Sequence, residues 1–512
     1  MTLTRSALEV GPLNVIDGAA VPGSGESFAV LDPATGRPIT EFALAGAAEV
    51  DTAVAAARRA FPGWSRATPG ERSSSVHALA AALTAMADEL ADVETAQTGK
   101  PLRFSTDFDV AGTIDNAAFF AGAARVLEGS ASAEYSPDHT SSIRREAVGV
   151  VGSIAPWNYP LQMAGWKILP AIAAGNTIVL KPAEITPLTA ALLARAAQRA
   201  GIPDGVVNVV TGTGAAAGEA LVGHTDVDMV SFTGSTGVGR RVMARCAERG
   251  ARVHLELGGK APFVVFGDAH LAAAVHGAVA GSVVNTGQDC TAATRAYVHV
   301  SLIDAFVAGV ADLFAGIRLG DPRDPDTDLG PLSSAAHRDK VAGIVSRAAT
   351  DGARVIAPGS LPGGAFAGGF WARPALVTGA DQRSEVVQAE IFGPVLTVIP
   401  FTDDDEALAL ANDTPFGLAA SAWTGSVHRA LRAARELRAG TVWINDHIPI
   451  FSEMPHGGFG ASGFGKDMSM YSLNEYTAVK HVAMDLTDRA RKSWHRTVFT
   501  DRSPDLQVTT TK

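Results

Sequence analysis

The chain has 512 residues, 47% of them hydrophobic and 19% charged, and a formal net charge of -11. So apolar a composition excludes a disordered chain, and the acidic balance argues against nucleic acid as a partner, since a phosphate-backbone binder needs a basic face. Two cysteines, Cys246 and Cys290, are too few for a disulfide framework.

The N-terminus lacks a basic start followed by an apolar run, so no signal peptide is read there. The longest apolar region, 168–180, is broken by Pro170, Gly175 and Asn176, which leaves nothing to span a membrane. A soluble cytoplasmic protein is the expectation. From about residue 149, short apolar runs alternate with longer helical ones. Residues 149–154 and 177–180 predict buried strands, and 188–200 predicts a helix closed by the turn Gly201-Ile-Pro-Asp-Gly205. Strands follow at 206–210 and 229–232, with helices starting near Ala215 and Gly237. A second series has strands at 263–266 and 297–300, and helices from His270 and over 302–315. This alternation predicts βαβ units, hence two α/β domains with parallel sheets, joined near Gly258-Gly259. The tail after about Asp488 is polar, ends in Thr-Thr-Thr-Lys, and is expected to be partly disordered.

Three segments carry candidate chemistry. In Asn285-Thr-Gly-Gln-Asp-Cys290-Thr, small neighbours let a substrate and backbone N–H groups approach the sulfur, and a local environment that lowers the thiol pKa would make it a nucleophile. A buried, inert cysteine is the plain alternative, and Cys246, inside a helical run, is read that way. In Leu255-Glu256-Leu257-Gly258-Gly259-Lys260, a glutamate at the end of an apolar strand can be desolvated into the range of a general base, or can be a structural carboxylate. In Ala155-Pro156-Trp157-Asn158-Tyr159-Pro160, two prolines can fix the Asn158 amide as a donor to an oxyanion; an ordinary turn asparagine is the alternative. Two further segments suit phosphate and ribose. Phe232-Thr-Gly-Ser-Thr-Gly-Val-Gly239 leaves a strand and opens a helix, and Lys181-Pro-Ala-Glu184 puts a cation and a carboxylate at a strand end. A carboxylate there repels a 2′-phosphate, which favours NAD over NADP.

Together, in order and spacing, these five segments resemble the aldehyde dehydrogenase superfamily, over roughly residues 12–485. The resemblance implies a Rossmann-like cofactor domain (12–126 and 148–257), a catalytic domain (258–465), an oligomerisation element (127–147 and 466–487) and a tail (488–512). The oligomerisation element is a β-hairpin at 130–146 with a late strand near 476–482, implying a homo-oligomer, dimer or tetramer. It implies Cys290 as nucleophile, Glu256 as base, and Asn158 with the Cys290 N–H as the oxyanion hole. Lys181 and Glu184 look like ribose ligands, and Phe232 and Ser235 like adenine and pyrophosphate contacts. Gly214, Gly218 and Val238 would line the same groove, and Ile154, Pro156, Trp157, Thr233, Gly234 and Leu257 would complete the NAD site. Glu390 would hold the nicotinamide ribose, with Phe392 near the ring. Gly237 departs from the family, where glutamate is frequent, and should loosen the helix start. No metal site is implied.

The runs Gly-Gln-Asp-Cys-Thr-Ala-Ala, Ser452-Glu-Met-Pro-His-Gly-Gly458 and Gly465-Lys-Asp-Met-Ser-Met-Tyr471 are similar to the bacterial gamma-aminobutyraldehyde (1-pyrroline) dehydrogenases. That implies oxidation of 4-aminobutanal from putrescine breakdown. An ammonium tail needs a carboxylate or an aromatic face, for which Asp109 and Asp107 are candidates; Trp166, Asp289 and Phe451 are candidate tunnel residues. Betaine aldehyde and neutral aliphatic or aromatic aldehydes are the alternatives, and a non-catalytic structural relative is the alternative of a different class.

Overall fold

The computed structural model describes residues 13–127, 129, 132–500 and 502. The start of the chain, the first two residues of the expected hairpin and the final Thr-Thr-Thr-Lys lie outside the described residues.

The continuous apolar runs of the first series become strands buried on both faces, as central strands of parallel sheets are. In Val150–Ile154 and Thr177–Lys181, alternate residues serve opposite cores. Val151, Ile178 and Leu180 face one, and Val150 and Val179 face the other. Each such side chain removed from water contributes about 1.5–3 kcal/mol. The sheet has eight strands, in the order Gly463–Phe464, Arg252–Glu256, Met229–Thr233, Val150–Ile154, Thr177–Lys181, Val207–Val209, Asn14–Ile16 and Ala19–Val21. The five from Arg252–Glu256 to Val207–Val209 are parallel, and the outer ones add antiparallel.

From Val150–Ile154 the chain first builds outward through Thr177–Lys181 and Val207–Val209. It then returns to the other side with Met229–Thr233. Between Val150–Ile154 and Met229–Thr233 the winding reverses, and a crevice opens beyond their carboxyl ends, where α/β sheets bind ligands. The loop 155–159 and the turn Thr233-Gly234-Ser235 leave the sheet at that point.

The second sheet has seven strands, in the order Arg354–Ile356, Ala375–Thr378, Val395–Phe401, Ala293–His299, Ala261–Val265, Ala419–Trp423 and Thr441–Ile444, all parallel except the first pair. Phe263 and Val265 point into one core, Val264 and Tyr297 into the other. Two doubly wound parallel sheets, as the alternation predicts, thus organise the molecule. A third, antiparallel sheet joins Ala133–Ser136, His139–Ala147 and Thr477–Asp485. Among the described residues no helix is long and apolar enough to cross a membrane.

One local expectation changes. The helix expected near Ala215 opens with a wide π-type turn, Gly214–Gly218, before Glu219–Gly223. Of the tail, residues 488–500 and 502 are described, and its start lies against the antiparallel sheet. Leu486 N–H donates to the Asp138 carbonyl and the Ser493 hydroxyl to the Asp138 carboxylate, both at 2.8 Å, and Ser493–Thr497 forms a short helical turn.

Candidate active site

Cys290 follows a turn that the backbone makes only under constraint. Asn285, Thr286 and Gly287 are consecutive residues at φ 48°, 55° and 70°, a left-handed run that costs a β-branched threonine of order 1–3 kcal/mol. Hydrogen bonds hold it. Asn285 Nδ2 donates to the carbonyls of Asn158 (2.8 Å) and Gln288 (3.1 Å), and the Thr286 hydroxyl donates to the Gly330 carbonyl at 3.0 Å. Asn158 Nδ2 also donates to Gln288 O at 3.0 Å, which occupies one of its two hydrogens and leaves the other free for a ligand. The loop 155–159 and the cysteine loop are therefore tied to each other at the mouth of the crevice. Gly259 permits the approach, since a Cβ there would stand 2.3 Å from the Cys290 carbonyl.

Both Asn158 and Cys290 line a cavity of about 190 Å³, and Glu256 lines it too. Glu256 closes its strand at 3% exposure, its Oε1 without a hydrogen-bond partner and its Oε2 3.4 Å from His456 Nε2. Burial pushes its carboxyl up to about 8; nearby Asp467 adds to the rise, and Lys167 and Lys466 oppose it. The Cys290 thiol is also raised well above its ordinary value, first by desolvation, then by Asp289, Glu256 and Glu390. The lowered thiol pKa that would by itself make a nucleophile is not found here; burial, before the neighbouring acidic groups, raises it. At neutral pH the protein alone keeps a thiol, which must lose its proton to react. Cys246 is buried and its thiol raised by desolvation, in keeping with an inert core residue.

One side of the cavity suits a dinucleotide. Pro156, Trp157, Thr233, Gly234, Ser235, Leu257, Glu390 and Phe392 line it. Helix Thr236–Ala247 starts there with no side-chain cap from Ser235, so its first N–H groups are free to meet an anion. Open space lies over Gly214 and Gly237, where a Cβ would meet nothing within 4 Å. The absent side chain of Gly218 leaves room against Ile154 and Lys181, each 3.8 Å from where a Cβ would stand. Lys181 is buried and paired with Glu184 at 3.3 Å, and Val238 is partly buried at the same helix start. Glu390 Oε1 accepts from Gly259 N–H at 3.2 Å; a Cβ on Gly258 would stand 2.2 Å from its Oε2. Phe392 sits at φ 62° with its ring 5.4 Å from Trp157, and His337 Nε2 lies 2.6 Å from its carbonyl. One residue moves. Phe232 is 4% exposed in the core, its ring beneath Gly234, so it shapes the turn from below instead of facing an adenine.

The other side is apolar and aromatic, with Phe108, Tyr159, Met163, Trp166, Ile448 and Ile450. Trp166 and Asp289 are brought to it as expected; the other three tunnel candidates are not. Asp109 is fully buried away from the cavity and bonded to Lys100 Nζ at 2.8 and 3.0 Å, so its charge is already matched. Asp107 lies exposed on the opposite face of the same turn. Phe451 is 61% exposed, and its neighbours Ile448 and Ile450 take the wall. Sequence reasoning missed Tyr159, which precedes helix Pro160–Ala173 as its N-cap, and Gln162 and Met163, although with Trp166 the latter two share one face of that helix at i, i+1 and i+4. It also missed His337 and Lys340, one turn apart on Ala335–Thr350, and His456, whose ring lies 5.1 Å from Trp166. His456 lies in the run Ser452-Glu-Met-Pro-His-Gly-Gly458, from which sequence reasoning drew only a resemblance.

The sequence model of the aldehyde dehydrogenase family matches residues 20–482. DhaS of Bacillus subtilis, assigned by name to the aldehyde dehydrogenases, is 40% identical over 476 residues, 92% of this chain and 95% of its own. Among solved structures, PnpE from Pseudomonas sp. WBC-3 is 41% identical with a TM-score of 0.92, covering 95% of this chain and all of its own; another PnpE structure is a complex with nicotinamide adenine dinucleotide. Betaine aldehyde dehydrogenase of Staphylococcus aureus, in complex with NAD+, is 36% identical with a TM-score of 0.92, over 96% of this chain and 98% of its own.

Proposed function

The chain belongs to the aldehyde dehydrogenase family, and on that premise we propose that it oxidises an aldehyde with a largely apolar body to the carboxylic acid, using NAD. The observation that carries this reading is the meeting of Cys290, Glu256 and Asn158 on one cavity whose far wall is mostly hydrocarbon and aromatic, with Gln162, Asp289 and His456 among it. Cys290, its thiol proton passed to solvent, adds as the thiolate to the aldehyde carbonyl, and the free Asn158 N–H and the Cys290 backbone N–H receive the oxyanion. NAD, when bound, would supply the hydride acceptor for oxidation of the Cys290 adduct to a thioester and the positive charge of its oxidised ring. Glu256 then removes a proton from the water that hydrolyses the thioester, a task its raised pKa suits. Trp157, Ser235, Glu390 and Phe392 would hold the cofactor, with Lys181 and Glu184 at the adenosine ribose; Glu184 favours NAD over NADP.

A second reading is 4-aminobutanal, the product of putrescine breakdown. Asp289, a carboxylate on the cavity wall, supports it, but Asp109 and Asp107 no longer do. Betaine aldehyde lies between the two, with aromatic faces for its cation. NADH formation measured with hexanal, betaine aldehyde and 4-aminobutanal tests the proposal. Hexanal is expected to give the highest kcat/KM; a tenfold preference for 4-aminobutanal would overturn the apolar reading. A homo-oligomer built on the exposed edge of the three-stranded sheet completes the proposal, because an open strand edge needs cover.

A further inference from the structure

Asp289 stands beside the nucleophile, yet its oxygens are occupied. Oδ1 accepts from both the backbone N–H and the hydroxyl of Thr291, each at 2.6 Å, and so closes a turn around Cys290. Oδ2 accepts from the Tyr159 hydroxyl at 2.6 Å. Three of roughly four lone-pair positions are thereby filled from within the protein. Tyr159 is in turn seated. Lys100 Nζ lies 4.1 Å from the centre of its ring, and that ammonium is pinned by Asp109, with Glu94 4.0 Å away and all three side chains at most 2% exposed. Phe108 packs 5.8 Å from the same ring.

We propose that Asp289 and Tyr159 are positioning residues for Cys290: the carboxylate closes the turn that aims the sulfur, and the phenol, resting on the buried Lys100–Asp109 pair, holds the carboxylate. On this view Asp289 is not the anchor of a substrate's ammonium, and Asp109 acts from behind the wall. The proposal rests on Cys290 being the nucleophile. Besides Asp289 and Tyr159, the ionisable groups lining its cavity are Glu256, Glu390, Lys340, His337 and His456. Of these, the carboxylates Glu256 and Glu390 join Asp289 in disfavouring the thiolate.

Full-length wild type, Tyr159→Phe and Asp289→Asn would be alkylated with iodoacetamide across pH, following the Cys290 peptide by mass, and assayed for kcat and KM. Asp289→Asn removes a negative charge and is expected to move the alkylation midpoint down by about one pH unit. Tyr159→Phe leaves that charge without its donor and is expected to move the midpoint up. Both should lower kcat about tenfold, the scale of one hydrogen bond to a charged group, with KM for the aldehyde and the melting temperature nearly unchanged. An unchanged alkylation profile in Tyr159→Phe overturns the proposal, as does a raised aldehyde KM with normal kcat in Asp289→Asn. Should Asp289→Asn fold poorly, Tyr159→Phe decides alone. Turnover by Cys290→Ser would sink the nucleophile reading itself, whatever the other two variants do.

Discussion

Glu256 and Cys290 are both raised by burial, and the charge of Glu256 also disfavours the thiolate. A pH dependence follows. The carboxyl holds its proton below about 8 and loses it above, and only the ionised form can take a proton from water, so the hydrolytic step should accelerate as pH rises through 8. Stopped-flow measurement of that step should show this rise in the wild type. Glu256→Gln should lack the rise and lose about 100-fold or more in kcat. The sequence made these two residues legible because their small neighbours, Gly258-Gly259 and Thr291, are themselves part of the chemistry. Asp109 was illegible for the opposite reason. Whether an aspartate meets solvent or a lysine depends on the packing of Lys100 nine residues earlier, and charge alone does not record it.

At the scale of elements, strands were readable where both faces are buried, as in Val150–Ile154 and Thr177–Lys181, because no polar alternation interrupts them. The wall formed by Gln162, Met163 and Trp166 carried a readable helical period, but a stripe of that kind looks the same whether it faces a core or a cavity. The turn after Arg252–Glu256 depends on glycine for a measurable reason. Gly258→Ala would drive a methyl group into the Glu390 carboxylate, 2.2 Å away, and displace the proposed ribose ligand. Steady-state kinetics of this variant should show KM for NAD raised about tenfold, the scale of one hydrogen bond to a charged group, with thermal stability little altered.

Over the whole molecule, distant parts of the chain meet through buried charge. Lys167 Nζ, in helix Pro160–Ala173, bonds Asp467 at 2.8 Å with both side chains fully buried. Neutralising one partner strands the other charge in a dry interior, so Asp467→Asn should cost about 3–5 kcal/mol in a urea melt. Lys167→Met with Asp467→Leu should recover most of that loss, because an apolar pair of similar volume has no charge to desolvate. This coupling spans elements too far apart in sequence for any local pattern to announce it. The same late segment supplies Gly463–Phe464, which completes the first sheet beside Glu256. During synthesis, that edge therefore stays bare until the ribosome has passed residue 467, roughly ten to forty seconds after Glu256 itself was joined to the chain. A nascent polypeptide thus carries the cysteine well before it can carry a finished site, and catalysis must await nearly the full length of translation.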